Sequence, residues 1–291
     1  MAVEALLPQL RQGDRCVVVV QGDELEMEEV VKRLKHVSDR SGGEPAGKNS
    51  PQIIRQPTAG RAAARNLGLI QFETDYVVFI DDDSIARDGW LEALLLPLEE
   101  DRADLVAGRA VEDPDLTTNA PDLVGGHLTW TGHTNRNFNS ELSGSCGVAC
   151  SNNLAVRRDL AVEAGGFDTR FHEPAMYEDV EFSERLRRMG ARIWYTGDAV
   201  VDHLVEQTGR WEQDLNGMEI VRAGHMSLLF RLHRPWDWPV MAMAYLVAAK
   251  WKVLKGKLSM KTIWGVAVAL LEGWRRGRNP RQPLNERINI A

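Results

Sequence analysis

Three consecutive carboxylates, Asp81, Asp82 and Asp83, end a short apolar run, Tyr76-Val-Val-Phe-Ile80. Five β-branched and aromatic residues in a block predict a buried strand. Ionised carboxylates cannot follow that strand into an apolar interior, where unpaired charge is costly. The strand therefore ends at a wet edge or at a bound cation. The C-terminal ends of parallel strands are where open α/β sheets bind ligands, and hard divalent cations that accept phosphate oxygens are held by one or two carboxylates. The triplet also reads as a cap on a following turn or helix, a role aspartate favours. A second acidic pair, Glu178-Asp179, opens a stretch of helical period that Gly190 closes. A helix N-terminus favours the ionised form of such a pair, and taken alone the pair reads as capping.

The elements that must position these groups alternate. Helical spacing over residues 3–12 precedes an apolar strand at Cys16–Val20 and a helix at Val30–Val37. A Gly/Ser/Pro-rich stretch over 39–51 predicts a mobile loop. A short strand at Ile53-Ile54 leads to a helix over 58–70, then to the aspartate strand, a helix at 89–99 and a strand at 105–108. That order predicts a mostly parallel sheet with helices on both faces. From Glu112 to Asn139 periodicity is lost, which predicts a long loop on the substrate-facing side, with Trp130 and His133 available as a binding platform. Strands are expected at 147–156, 192–195 and 199–203, the helix at 178–189 lies between them, and beyond Trp211 the chain reads as helix broken by Pro235 and Pro239.

Composition narrows the class. The 291 residues are 44% hydrophobic and 26% charged, ordinary for a globular protein. From Lys250 onward ten Lys/Arg face two Glu, a local +8 against −7 for the whole chain, so the first 249 residues carry −15. An acidic body argues against nucleic-acid binding and leaves a polyanionic surface as a partner for the tail. Three cysteines, Cys16, Cys146 and Cys150, without CxxC spacing predict reduced thiols rather than disulfides or zinc. No secretory signal is read at the start, and the longest apolar stretch of the tail, Trp238–Ala249, is about half the ~20 residues of a spanning helix. The expectation is a cytoplasmic protein, peripheral at most to the membrane.

Four separated pieces stand in order: Gly60-Arg61 with Arg65-Asn66; Asp81-Asp82-Asp83; Gly165-Gly-Phe-Asp168 with Tyr177-Glu-Asp179; and His203. The set resembles the family-2 inverting glycosyltransferases over roughly residues 1–205. The resemblance implies an α/β GT-A (Rossmann-like) fold, a nucleoside-diphosphate sugar as donor, typically a UDP-sugar, and a divalent cation, Mg or Mn. By the same resemblance Asp83 is the metal ligand, joined by Asp81 and His203. Asp81 or Asp82 contacts the ribose or a metal-bound water, at least one of Arg61 and Arg65 meets the nucleotide, and Asn152 and Asn153 line the sugar or acceptor pocket. Asp179, with Glu178 beside it, is the general base that takes the acceptor's proton. The acceptor implied is a glycan or lipid-linked glycan, as in polysaccharide biosynthesis.

Two departures alter that expectation. The chain opens inside what resembles the family's first helix, so the first strand is expected to be missing. Val20-Gln21 replaces the acidic pair usual after the second strand, leaving the Gln21 amide for the base. These departures point to a second reading, a non-catalytic sugar-nucleotide-binding or scaffolding domain. A nucleotidyltransferase is disfavoured because no Gly-rich loop with a lysine stands near the start. Residues 206–291 form a basic helical extension with six of the nine tryptophans: Trp211, Trp236, Trp238, Trp251, Trp264 and Trp274. Such helices suit an anionic membrane surface or packing on the sheet or a second subunit, as a homodimer.

Overall fold

The computed structural model describes residues 2–22, 24–40, 51–56, 60–111, 122–171, 176–204, 214–281 and 284. The loop expected over 39–51 falls, at 41–50, outside them, as does Trp211. The first half runs α1 (Ala2–Leu6), β1 (Val17–Gln21), α2 (Glu24–Arg40), β2 (Gln52–Gln56), α3 (Arg61–Gln71), β3 (Tyr76–Ile80), β4 (Ser84–Ala86), α4 (Trp90–Glu99) and β5 (Leu105–Val111). Short strands β6 (Gly125–Leu128), β7 (Thr134–Asn137) and β8 (Gly144–Ser145) follow, then β9 (Asn153–Arg157), α5 (Arg158–Glu163), α6 (Glu178–Arg188) and β10 (Ile193–His203). Three helices close the chain: α7 (Leu215–His233), α8 (Trp238–Leu254) and α9 (Met260–Arg276).

The central sheet has the order β3-β9-β5-β10-β4, with β8 on β10. It is mixed, not mostly parallel. Strands β5 and β10 pair parallel, but β9 runs antiparallel between β3 and β5. The cause is connectivity: parallel neighbours need a crossover, and helix–strand alternation lapses after β5, where β6 to β9 follow one another without a helix. Within the stretch expected as a loop, residues 112–121 lie outside the described residues, while β6 and β7 form an antiparallel hairpin. The two strands expected at 192–195 and 199–203 are one, β10, with a register shift between Thr196 and Val200.

Alternation along the strands builds two cores. Leu105, Ala107, Leu154 and Val156 face α3, α5 and α6 through Leu69, Ala161, Phe182 and Leu186. Val106, Ala110, Ala155 and Val201 face α4 through Trp90, Leu94 and Leu98. The pair β1–β2 is a separate parallel sheet. Among the described residues no strand joins β1 to β3, and a cavity of about 1080 Å³ is lined by residues of both.

The C-terminal helices share a core with the body: Met226, Phe230, Met241 and Leu270 pack with Val148, Phe171 and Val180. Helices α7 and α9 approach closely because Gly273 lies against the Gly224 backbone, where a Cβ would collide. Ion pairs fasten α7 to α6. His233 Nε2 lies 2.9 Å from Glu181 Oε1, and Arg234 Nε donates to Glu184 Oε1 at 3.2 Å. Burial pushes both carboxyls up, but Arg187 and Arg234 hold Glu184 at about 2, and Arg185 with His233 holds Glu181 well below the usual range.

Candidate active site

The register of β4 on β10 places the aspartate edge. Val201, Asp202 and His203 pair with Ala86, Ile85 and Ser84, so the residue before β4 meets the end of β10. Leu204 N donates to the Asp83 carbonyl at 2.8 Å, and His203 Nε2 stands 3.2 Å from Asp83 Oδ1. Burial pushes the Asp83 carboxyl up, yet the His203 imidazole outweighs it and holds the group below its ordinary value. Asp82 moves the other way, raised by burial and by the charge of Asp83. Both carboxylates are exposed on the cavity wall.

A buried guanidinium joins the two acidic motifs. Arg65, on the inner face of α3, donates through Nη2 to Asp81 Oδ1 at 3.0 Å and through Nη1 to Glu178 Oε1 at 2.9 Å. Its fork fits two carboxylates at once, which an ammonium does not. Arg65 makes these internal contacts while still lining the cavity, as does Arg61, the other arginine expected at the nucleotide. Burial, then the charge of Asp179, raise the Glu178 carboxyl despite Arg65. Both members of the acidic pair line the cavity, but Glu178 is buried and engaged by Arg65, whereas Asp179 is the half-buried one. Asp179 Oδ1 accepts from Val180 N at 2.8 Å and Oδ2 from Ser151 N at 3.4 Å.

Left-handed backbone positions and an asparagine clamp mark the chain leading to α6 and its cap. Tyr177 caps it in the left-handed region at φ 67°, a conformation that side-chain-bearing residues adopt at some cost and that recurs at functional sites. Gly165 and Gly166, at φ 77° and 65°, form the preceding turn. Asn66 clamps that turn: its Nδ2 donates to Phe167 O at 2.9 Å and its Oδ1 accepts from Phe167 N at 2.7 Å. Asp168 is buried and faces Arg170, which makes it part of the scaffold.

The remaining candidates divide. Arg61, at the exposed start of α3, lines the cavity. Gln21 lines it too, but its Oε1 accepts from Gly60 N at 2.8 Å, tying β1 to the start of α3. Asn153 does not face a ligand: it is fully buried, donates to Arg109 O and Ala199 O, and accepts from Trp90 Nε1 at 2.8 Å. Strand alternation turns it inward and brings its neighbour Asn152 to the cavity. Trp130 and His133 sit at the β6–β7 turn and do not line the cavity. Sequence reading quoted Asn66 and Tyr177 within its motifs without giving either a role, and passed over Ser151, Thr134, Arg136 and Arg222; Asn66 and Ser151 meet partners far away in the chain, and no local pattern marks the others as cavity residues.

One carboxylate oxygen and one imidazole nitrogen 3.2 Å apart, with Asp81 nearby, suit a divalent cation that takes its other ligands from a diphosphate. Among the described residues no three His, Cys, Asp or Glu side chains gather into a complete metal cage.

A mixed sheet whose aspartate-ended strand faces a helix-borne acidic pair across one cavity defines a GT-A glycosyltransferase architecture. The family model described as Glycosyl transferase family 2 matches residues 2–164, and the chain belongs to that family. Among curated proteins, the pre-mycofactocin glycosyltransferase of Mycobacterium tuberculosis is 33% identical over 162 residues, covering 52% of this chain and 32% of that protein. The glucosyl-dolichyl phosphate glucuronosyltransferase of Haloferax volcanii is 26% identical over 207 residues, covering 69% and 62%. The chain thus spans less than two thirds of either relative. GalNAc-T7, solved with UDP, GalNAc and Mn2+, superposes with TM-score 0.57 at 13% identity over 75% of this chain and 41% of that one. The mannosyltransferase of Pyrobaculum calidifontis, solved with GDP-Man and Mn2+, gives 0.52 at 18% over 90% and 77%. At these identities the structural likeness is one of fold.

Proposed function

We propose that this chain is a metal-dependent inverting glycosyltransferase that moves a sugar from a nucleoside diphosphate to a hydroxyl of a glycan or lipid-linked glycan. The carrying observation is that Arg65 locks the aspartate edge and the base-bearing helix so that Asp83, His203 and Asp179 line one cavity. Asp179 accepts the proton of the attacking hydroxyl. The hydroxyl oxygen bonds to the anomeric carbon as the bond to the diphosphate breaks, and attack from the opposite face inverts that carbon. Arg61 adds positive charge beside the leaving group. A divalent cation held by Asp83 and His203 would supply neutralisation of the developing phosphate charge. The solved neighbours that hold Mn2+ with UDP or GDP-Man support this reading, as does the dolichyl phosphate in the Haloferax relative's name for a lipid-linked acceptor.

The test is nucleoside diphosphate release from a panel of UDP- and GDP-sugars with Mn2+ or Mg2+. Turnover is expected with at least one donor, and Asp83→Ala is expected to weaken UDP binding about tenfold or more only when metal is present. Intact nucleotide binding with no turnover on any donor would favour the non-catalytic domain, the reading to which the open space between β1 and β3 lends support.

The extension is read as a membrane-surface element. Trp236, Val240, Met243, Val247, Trp251 and Leu254 recur every three or four residues and are all exposed, Trp236 at 92%. Lys250 and Lys252 lie on α8, Lys255 and Lys257 just after it, and Lys261 in the first turn of α9. An apolar stripe beside cations suits lying in the plane of an anionic bilayer. No helix among the described residues is long and apolar enough to cross a membrane. Replacing Trp236, Trp251 and Trp264 together by Ser is expected to abolish co-sedimentation with phosphatidylglycerol vesicles. Unchanged sedimentation would sink the idea, and loss of a dimer instead would assign the stripe to a second copy.

A further inference from the structure

Two arginines in the cavity are not used by the chemistry above. Arg136 projects from β7 and Arg222 from α7, and both line the cavity. Among the described residues no ion pair is formed by either. Glu219, one turn before Arg222, is held by Lys252 Nζ at 2.6 Å.

Both line the cavity that the start of α6 also lines. The charge of Arg136 acts on the Cys150 thiol together with Asp179 and Asp81, so these groups share one neighbourhood. Arg222 acts on the hydroxyl of Tyr245 together with Tyr177, the residue that caps α6, and that hydroxyl donates to Gly132 O at 3.4 Å beside β7. The same cavity lining carries polar atoms without partners. Asn152 is 6% exposed and its Oδ1 is buried unbonded, as is Thr134 Oγ1. A buried polar atom left unpaired costs about 1–3 kcal/mol, and both residues line the cavity, where a bound hydroxyl or anion would satisfy them.

We propose that Arg136 and Arg222 form an anion subsite for the acceptor, holding phosphate or carboxylate oxygens of the molecule whose hydroxyl faces Asp179. This rests on the glycosyltransferase reading and deepens it: the acceptor is an anionic glycan or glycosyl phosphate rather than a neutral sugar. Arginine suits this task because its planar fork matches phosphate and carboxylate oxygens. The subsite is assembled from both halves of the chain, β7 supplying one cation and the first C-terminal helix the other. The C-terminal helices thereby select the acceptor.

The experiment uses the full chain saturated with UDP and Mn2+, so that the diphosphate position is filled. Phenyl phosphate, glucuronate and glucose are then titrated against wild type, Arg136→Gln, Arg222→Gln and the double variant. Wild type is expected to bind phenyl phosphate and glucuronate in preference to glucose. Each single variant is expected to lose about tenfold in anion affinity, as for one charge-assisted contact, and the double variant to show no preference. Thermal unfolding and UDP affinity are expected to stay at wild-type values. Equal anion affinity in wild type and double variant overturns the subsite. Failure of UDP to bind wild type would instead defeat the transferase reading, and phosphate titration of the unloaded protein would still test the two arginines.

Discussion

Asp179→Asn is expected to slow sugar transfer by about 10²–10⁴-fold, the usual contribution of a general base, while leaving UDP and metal affinity unchanged. The substitution is nearly isosteric. Its remaining oxygen still accepts from Val180 N, so the first turn of α6 keeps its bond. What disappears is the capacity to take a proton from the acceptor. Glu178 does not replace it, because its carboxylate is buried against Arg65 at 2.9 Å. The diagnostic is the split between binding and turnover: calorimetric UDP affinity within twofold of wild type, with nucleotide release near background. Wild-type rates in this variant would move the base elsewhere in the cavity.

Arg65→Met is expected to cost about 3–5 kcal/mol of stability, as removing one partner from a buried ion pair does. Arg65 is 9% exposed and Glu178 4%, so the substitution strands a carboxylate that water barely reaches. The loss has a definite pH dependence. Burial and Asp179 already raise the Glu178 carboxyl, and without Arg65 it rises further. A carboxyl raised in the folded state favours folding while protonated, and that advantage is lost as pH rises through the folded value. The variant should therefore regain stability relative to wild type as pH falls toward the ordinary carboxylate range. Urea unfolding at a series of pH values measures both effects. Adding Glu178→Gln should restore part of the loss at neutral pH, since the stranded group is then uncharged. A pH-independent deficit would assign the role of Arg65 to packing against Phe167, whose ring its guanidinium overlies at 5.5 Å.

The sequence pattern carried the ends of the argument better than its middle. A five-residue apolar strand ending in three carboxylates marks its own place in a sheet, and the pairing of Asp83 with His203 follows from strands β4 and β10 lying side by side. The helix from Glu178 was legible from period and from Gly190. The functions of Arg65, Asn66 and Asn153 were not, because each is defined by partners far along the chain: Arg65 and Glu178 are 113 residues apart, Asn66 and Phe167 101. Arginine and asparagine look the same in sequence whether they meet a ligand or a buried carboxylate. Strand direction was misjudged for a related reason. Alternating helices and strands imply parallel pairing only while the alternation lasts, and β6 to β9 break it.

Helix α6 acts mechanically as a strut. Its first turn presents Asp179 to the cavity, and further along it is bolted to α7 through Glu181–His233 and Glu184–Arg234. A strut transmits displacement. Displacement of α7 therefore bears directly on α6, the helix whose first turn carries Asp179. On the reading proposed above, the orientation of Asp179 is tied to the C-terminal helices as well as to the sheet.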